Sequence, residues 1–212
     1  MSETHVLVIY AHPAPHKSRV NRRLAQAARA LAGVEVLDLY ETYPDFYIDV
    51  AAEQARLERA SAVAFVHPIQ WYSSPSLLKE WVDTVLQAGW AYGQQGGALQ
   101  GKAYWLVITA GGPEAAYTEA GVHGRPLDDY LPQFRQTAQL CGMRWEAPHI
   151  LYAAHLVDET VVNDHVDAFA ARLALLVQQA QAAQAAQHEQ VEPAAQAAHN
   201  MITTDTGTPD GA

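Results

Sequence analysis

Short, continuous apolar runs alternate with amphipathic stretches along most of the chain. Val6–Ala11 (VLVIYA), Ala62–Val66 (AVAFV) and Ala103–Thr109 (AYWLVIT) are rich in β-branched and aromatic residues and show no polar face. Such runs fit strands buried on both sides, as in a parallel sheet. Val34–Tyr40 and Trp145–His155 predict two more strands. Between them, Val20, Leu24, Ala27, Ala28 and Leu31 recur at helical spacing. They predict a helix from Ser18, with Gly33 as its C-terminal stop. Asp49 is placed to cap a short helix through Ala60. Ser74, with Pro75 in the first turn, starts a helix that runs to Ala88 and ends at Gly89. Two further helices are expected over Leu127–Cys141 and Asp158–Gln179. Strict alternation of strand and helix predicts an α/β fold: a five-stranded parallel sheet, order 2-1-3-4-5, with helices on both faces.

The pattern stops at Gln178. From there the chain is Ala- and Gln-rich, with good helix propensity but almost no large apolar residues to bury. The expected organisation is therefore one domain over residues 1–177 and, over 178–212, a helix extension that frays into a disordered tail. The 212 residues carry a net charge of −10 with no basic run, which argues against nucleic acid as a partner. The single cysteine, Cys141, cannot form an internal disulfide and falls in a helical pattern, so it reads as a buried structural thiol. The N-terminus lacks a basic leader, and no apolar run approaches membrane-spanning length. A cytoplasmic protein is expected, whether free or held peripherally at the inner face of the cell membrane.

In an open parallel sheet, ligands bind beyond the C-terminal strand ends where strand order reverses. For this order, the loops after strands one, three and four converge there. Loop one, His12–Asn21, ends at a helix N-terminus, where free backbone N–H groups suit a phosphate; Ser18 serves equally as a plain helix cap. Loop two, Pro68–Pro75, holds the adjacent aromatics Trp71 and Tyr72, suited to bracketing a flat heterocycle. In loop three, Gly111 and Gly112 directly follow a strand and permit close backbone approach. Other chemistries find no support. Gly96–Lys102 nearly matches a nucleotide-binding G-x-x-x-x-G-K loop, but Ala103 replaces the Ser/Thr and the segment precedes a strand. There is no G-x-S-x-G elbow, no H-E-x-x-H motif and no cysteine cluster.

The segments Ile9–Ser18 (IYAHPAPHKS), Leu39–Asp49 (LYETYPDFYID), Ala51–Gln54 (AAEQ), His67–Trp81 (HPIQWYSSPSLLKEW) and Gly89–Gly93 (GWAYG) carry a resemblance. They are similar to the flavodoxin-like NAD(P)H:quinone oxidoreductases. Within that family the nearest resemblance is to the ancillary subunits of bacterial glutathione-regulated potassium-efflux systems. The run Thr109-Ala110-Gly111-Gly112 followed by Tyr117 and His123-Gly124 is similar to the family's TTGG…Y…HG pattern, with Ala110 in place of the usual second Thr.

The resemblance covers about residues 5–177 and implies a two-electron reaction. Hydride passes from NAD(P)H through a flavin, FMN with FAD as the alternative, to a quinone bound in the same place. It implies that Tyr117 and a protonated His123 stabilise charge at the flavin's pyrimidine edge. His12, Ser18, Arg19, Val20 and Asn21 would hold the phosphate. Ile69, Gln70, Trp71 and Tyr72, with Thr109, Ala110, Gly111 and Gly112, would line the ring. Trp90 and Tyr92 would border the substrate slot, across a dimer interface, in a homodimer whose exposed aromatics, Trp81 included, need cover. Two other readings stay open: a regulatory subunit docked on a potassium-efflux transporter, favoured by the YPDFYID segment, and a flavodoxin-type electron carrier.

Overall fold

The structure, a computed structural model, describes residues 5–203. The chain divides at Val177/Gln178 into two units.

In the first unit the strands β1 (Val6–Tyr10), β2 (Val34–Asp38), β3 (Ala62–Pro68) and β4 (Ala103–Thr109) pair in parallel, in the order β2-β1-β3-β4. β5 (Arg144–Trp145) and β6 (His149–Leu151) both pair in parallel with β4 on its far side. The fold is therefore flavodoxin-like α/β, with the predicted strand order. The fifth strand position differs from expectation, because it is occupied by two short pieces instead of one. Pro148 sits in the break; it has no N–H for the ladder and confines strand pairing to either side. The carbonyl of Ala147 in the same break is satisfied by the Trp105 indole N–H at 3.1 Å.

Side chains alternate between the two sheet faces and build two cores. Leu7, Ile9, Phe65 and Leu106 point to the face covered by α3 (Val50–Arg59), α4 (Ser76–Val85) and α5 (Pro132–Leu140), all following the short α2 (Leu39–Thr42). Val8, Val66, Trp105 and Val107 point to the face covered by α1 (Asn21–Arg29) and α6 (Glu159–Thr203), where Phe169 and Leu173 pack. The second unit continues α6 as helix to Thr203; the tail expected beyond it lies outside the described residues.

Several element ends moved for identifiable reasons. Asp49 caps α3 as expected, accepting the Ala52 N–H at 3.0 Å. α1 begins at Asn21 because Pro15–Lys17 forms a separate 3₁₀ turn. Ser74 does not cap α4. Pro75, at ψ 150°, is extended and stands outside the helix, and the Leu77 N–H donates instead to the Tyr40 hydroxyl at 3.4 Å. α4 stops at Val85, and Gly89 takes a left-handed φ of +82° in the turn after it. Trp81 is fully buried, because the carboxylate of Glu53 accepts its indole N–H at 3.1 Å and the Tyr43 hydroxyl at 2.6 Å. It therefore offers no exposed face to a second copy. The glycine-rich Gly96–Lys102 segment lies where β4 begins, and the Lys102 ammonium caps α3 by donating to the carbonyls of Glu58 and Ala60.

Candidate active site

The C-terminal ends of β1, β3, β4 and β6 open into one cleft of about 240 Å³. It is lined by His12, Ser18, Arg19, Val20 and Asn21 from loop one, Pro68, Ile69 and Gln70 from loop two, and Thr109, Ala110 and Gly111 from loop three. Lys17, Ala154 and His155 complete the lining. The fourth loop, after β6, was not singled out in the sequence. The strand-end rule that selected the other three applies to it as well, but its composition does not mark it.

Loop one is a donor set. The N–H groups of Arg19, Val20 and Asn21 make no backbone bond among the described residues, as expected at a helix start. The Ser18 hydroxyl accepts the Arg22 N–H at 3.0 Å, and a hydroxyl that accepts can also donate. His12 accepts the Ala14 N–H on Nδ1 at 3.1 Å, which leaves its proton on Nε2 as a further donor. Burial lowers the His12 pKa and favours that neutral form. Asn21 is buried and bonded through its amide nitrogen to the Thr109 hydroxyl at 2.9 Å. Its other amide atom, Oδ1, has no partner. A hydroxyl can donate or accept, so either amide orientation satisfies Thr109 and leaves one polar atom unpaired.

Loop two is a tight turn. Gln70 and Ser73 exchange two backbone hydrogen bonds at 3.0 Å, and between them Trp71 and Tyr72 both have positive φ, +47° and +65°. This is the geometry of a type I′ turn, which glycine and asparagine favour. Here it carries two large aromatics at a strain of about 1–3 kcal/mol each. The strain thrusts Trp71 into solvent and sets Tyr72 stacked on Tyr130, with ring centroids 4.7 Å apart.

Loop three meets loop two. The Tyr117 and His123 rings stack at 4.2 Å, and His123 Nδ1 lies 3.4 Å from the Tyr72 hydroxyl. The Tyr130 hydroxyl donates to the His123 carbonyl at 3.2 Å and fixes that loop. Burial, then the neighbouring Tyr72 and Tyr130, raises the Tyr117 pKa, so its hydroxyl stays protonated and able to donate. A Cβ at Gly112 would stand 3.2 Å from Tyr117 and 3.4 Å from His123, whereas one at Gly111 would meet only His155, at 3.9 Å. Gly111 leaves the cleft lining open, and Gly112 leaves room for the Tyr117 and His123 rings.

Trp90 and Tyr92 do not join this cleft within one chain. The Trp90 indole donates to Glu58 near the C-terminus of α3 at 2.9 Å, and the Trp90 carbonyl accepts from Gly97 and Ala98, which precede β4. They sit where strands begin, at the opposite end of the sheet. The loop-one donors and the Thr109–Gly111 backbone thus share one cleft, and the donor set fits a flavin phosphate; Trp71, Tyr72, Gly112, Tyr117 and His123 belong to the same loops but do not line it. Among the described residues no three His, Cys, Asp or Glu side chains are grouped to hold a metal, and no helix is long and apolar enough to cross a membrane.

Residues 4–177 match the flavodoxin-like fold family, and the chain belongs to it. Three solved structures are similar. A chain in the structure of a thermophilic tryptophan halogenase from Streptomycin violaceusniger is 37% identical, with a TM-score of 0.74 over 77% of this chain and 95% of that one. General stress protein 14 from Treponema denticola, solved in complex with FMN, is 34% identical, with a TM-score of 0.73 over 81% and 97%. A candidate quinone reductase from Klebsiella pneumoniae is 28% identical, with a TM-score of 0.70 over 82% and 85%.

Proposed function

We propose that the protein is a flavin-dependent NAD(P)H:quinone oxidoreductase that uses FMN. The observation that carries this reading is the meeting, in one strand-end cleft, of phosphate donors from loop one with Ile69 and Gln70 of loop two and the Thr109–Gly111 backbone of loop three, with the stacked Tyr117 and His123 rings against the adjoining Gly112. The FMN held by the Treponema protein and the quinone-reductase assignment of the Klebsiella protein support it.

Ser18, His12 Nε2–H and the N–H groups of Arg19, Val20 and Asn21 would hold the phosphate. Ile69 and Gln70, with Thr109, Ala110, Gly111 and Gly112, would lie along the ring, and Trp71 and Tyr72 would offer it an aromatic border. When bound, the flavin accepts hydride from NAD(P)H and passes it to a quinone. Tyr117 O–H and the His123 imidazole would stand as preorganised donors at the edge where negative charge develops. A role for Trp90 and Tyr92 beside the substrate requires the same residues of a second copy, so the reading includes a homodimer, checked by light scattering at micromolar concentration. With FMN bound, the protein should oxidise more than one equivalent of NAD(P)H only when a quinone is supplied. Loss of NAD(P)H at equal rate without quinone, or none with it, would refute the enzyme assignment.

One observation favours a second role. In the YPDFYID segment Phe46 and Tyr47 are exposed, and Phe46 is held at φ +66°. Strained, exposed aromatics outside the cleft suit a docking surface for a protein partner, such as a potassium-efflux transporter. Co-purification with such a transporter, abolished by Tyr47→Ala, tests it.

A further inference from the structure

Arg19, which lines the cleft, is held in an ion bridge beside it. The Arg19 guanidinium leaves the phosphate loop and crosses to the start of α6. There its Nη1 donates to the Val157 carbonyl at 2.7 Å, and its Nε and Nη2 donate to Glu159 Oε1 at 3.1 and 2.7 Å. Arg23 donates to the other oxygen of the same carboxylate at 2.9 Å and to the Asn163 side chain. One exposed glutamate therefore engages two guanidiniums. It ties α1 to the first turn of α6 beside the N–H groups of Arg19, Val20 and Asn21.

FMN ends in a phosphate. FAD continues from that phosphate through a second one to an adenosine, and so needs both an exit from the phosphate site and donors for an added negative charge. Arg19 lines the cleft and spans from the phosphate loop to the start of α6, so a chain leaving the phosphate on this side would meet it. The Arg19 and Arg23 guanidiniums that could answer a second phosphate on this side are already paired, and the group pairing them is itself an anion. We infer that the Arg19–Glu159–Arg23 bridge terminates the cofactor cleft and makes the chain select FMN over FAD. The inference rests on the flavin reading above and adds to it the residues that set cofactor choice.

Removing the carboxylate changes two things at once. It removes the repulsive charge, and it releases two planar forks suited to bidentate capture of a phosphate. The side chain of Glu159 is 67% exposed, so its truncation leaves no hole in the core.

The test is titration of the flavin-free, full-length chain with FMN and with FAD, followed by flavin fluorescence. The wild type should bind FMN at least about tenfold more tightly than FAD, a difference of about 1.4 kcal/mol. Glu159→Ala should narrow that ratio at least about fivefold through a gain in FAD affinity, and Glu159→Gln should move it the same way. Equal affinity of the wild type for both flavins, or a ratio unmoved by both variants, would overturn the inference and leave the flavin reading standing. Failure of the wild type to bind either flavin would instead overturn the flavin reading itself.

Discussion

Replacing Trp71 with Asn should stabilise the flavin-free protein and weaken its hold on the flavin. Trp71 occupies the first central position of the Gln70–Ser73 turn at φ +47° and is 93% exposed. An ordinary L-residue in the left-handed region costs about 1–2 kcal/mol, whereas Asn tolerates that region through its short polar side chain. Because the indole packs against so little, its removal forfeits almost nothing in exchange. A net gain of about 1 kcal/mol translates to a rise in Tm of about 2–4 °C for a chain of this size. Against this stands the aromatic border that the proposed function gives Trp71 at the ring, which would be worth about 0.5–1.5 kcal/mol, or about two- to twelvefold in flavin affinity. The same exchange at Tyr72 should not stabilise, because Tyr72 stacks on Tyr130 at 4.7 Å and would lose that contact. Thermal melts of the flavin-free variants measure the first effect free of ligand linkage, and flavin titration measures the second. A Tm for Trp71→Asn at or below that of the wild type would refute the strain argument. An unchanged flavin affinity would refute the placement of Trp71 at the ring.

His123→Ala should leave flavin bound yet slow its reduction by NAD(P)H at least tenfold, since one preorganised donor is worth about 2–4 kcal/mol. Tyr117→Phe should act in the same direction, and stopped-flow loss of oxidised flavin absorbance at the wild-type rate in both variants would remove them from the chemistry. Stability should fall in acid. Burial, with His149 stacked at 3.8 Å, pushes His165 down to about 4 from 6.5, and burial does the same to His67. The unfolded chain then takes up these protons first, so stability is intact above pH 6.5 and is lost as pH falls from 6.5 to 4, by at most about 3 kcal/mol per histidine. Denaturant midpoints across that window should show the slope, and His165→Asn should flatten it; an equal slope in the variant would sink the assignment. Deletion of residues 183–212 should leave flavin content and quinone reduction nearly unchanged, because every residue of the cleft and of the ion bridge beside it precedes Ala183; loss of flavin on truncation would make the tail structural.

The sheet was legible because its central strands, such as VLVIY and AYWLVIT, are buried along their whole length and read as short β-branched and aromatic runs. The parallel order followed from the alternation with helices. What escaped depended on contacts distant in sequence. A single strand was expected across Pro148, yet pairing resumes on either side of it because the Trp105 indole satisfies the intervening carbonyl. Trp81 reads as an interface aromatic until Glu53, 28 residues away, is seen to accept its N–H. The first three loops of the cleft stood out by composition; the fourth, with Ala154 and His155, has none to mark it. The bridging role of Glu159 is equally invisible along the chain, since Arg19 lies 140 residues from it. The left-handed backbone at Trp71 and Tyr72 contradicts local propensity, as strained loops at ligand sites often do.

The central claim is that this cleft holds a flavin. The absorbance spectrum of the full-length protein, purified or reconstituted with FMN, with the released cofactor identified by chromatography, tests it most directly. The account predicts the absorbance of an oxidised flavin and release of FMN in about one equivalent per chain. A colourless protein that takes up neither FMN nor FAD would contradict it.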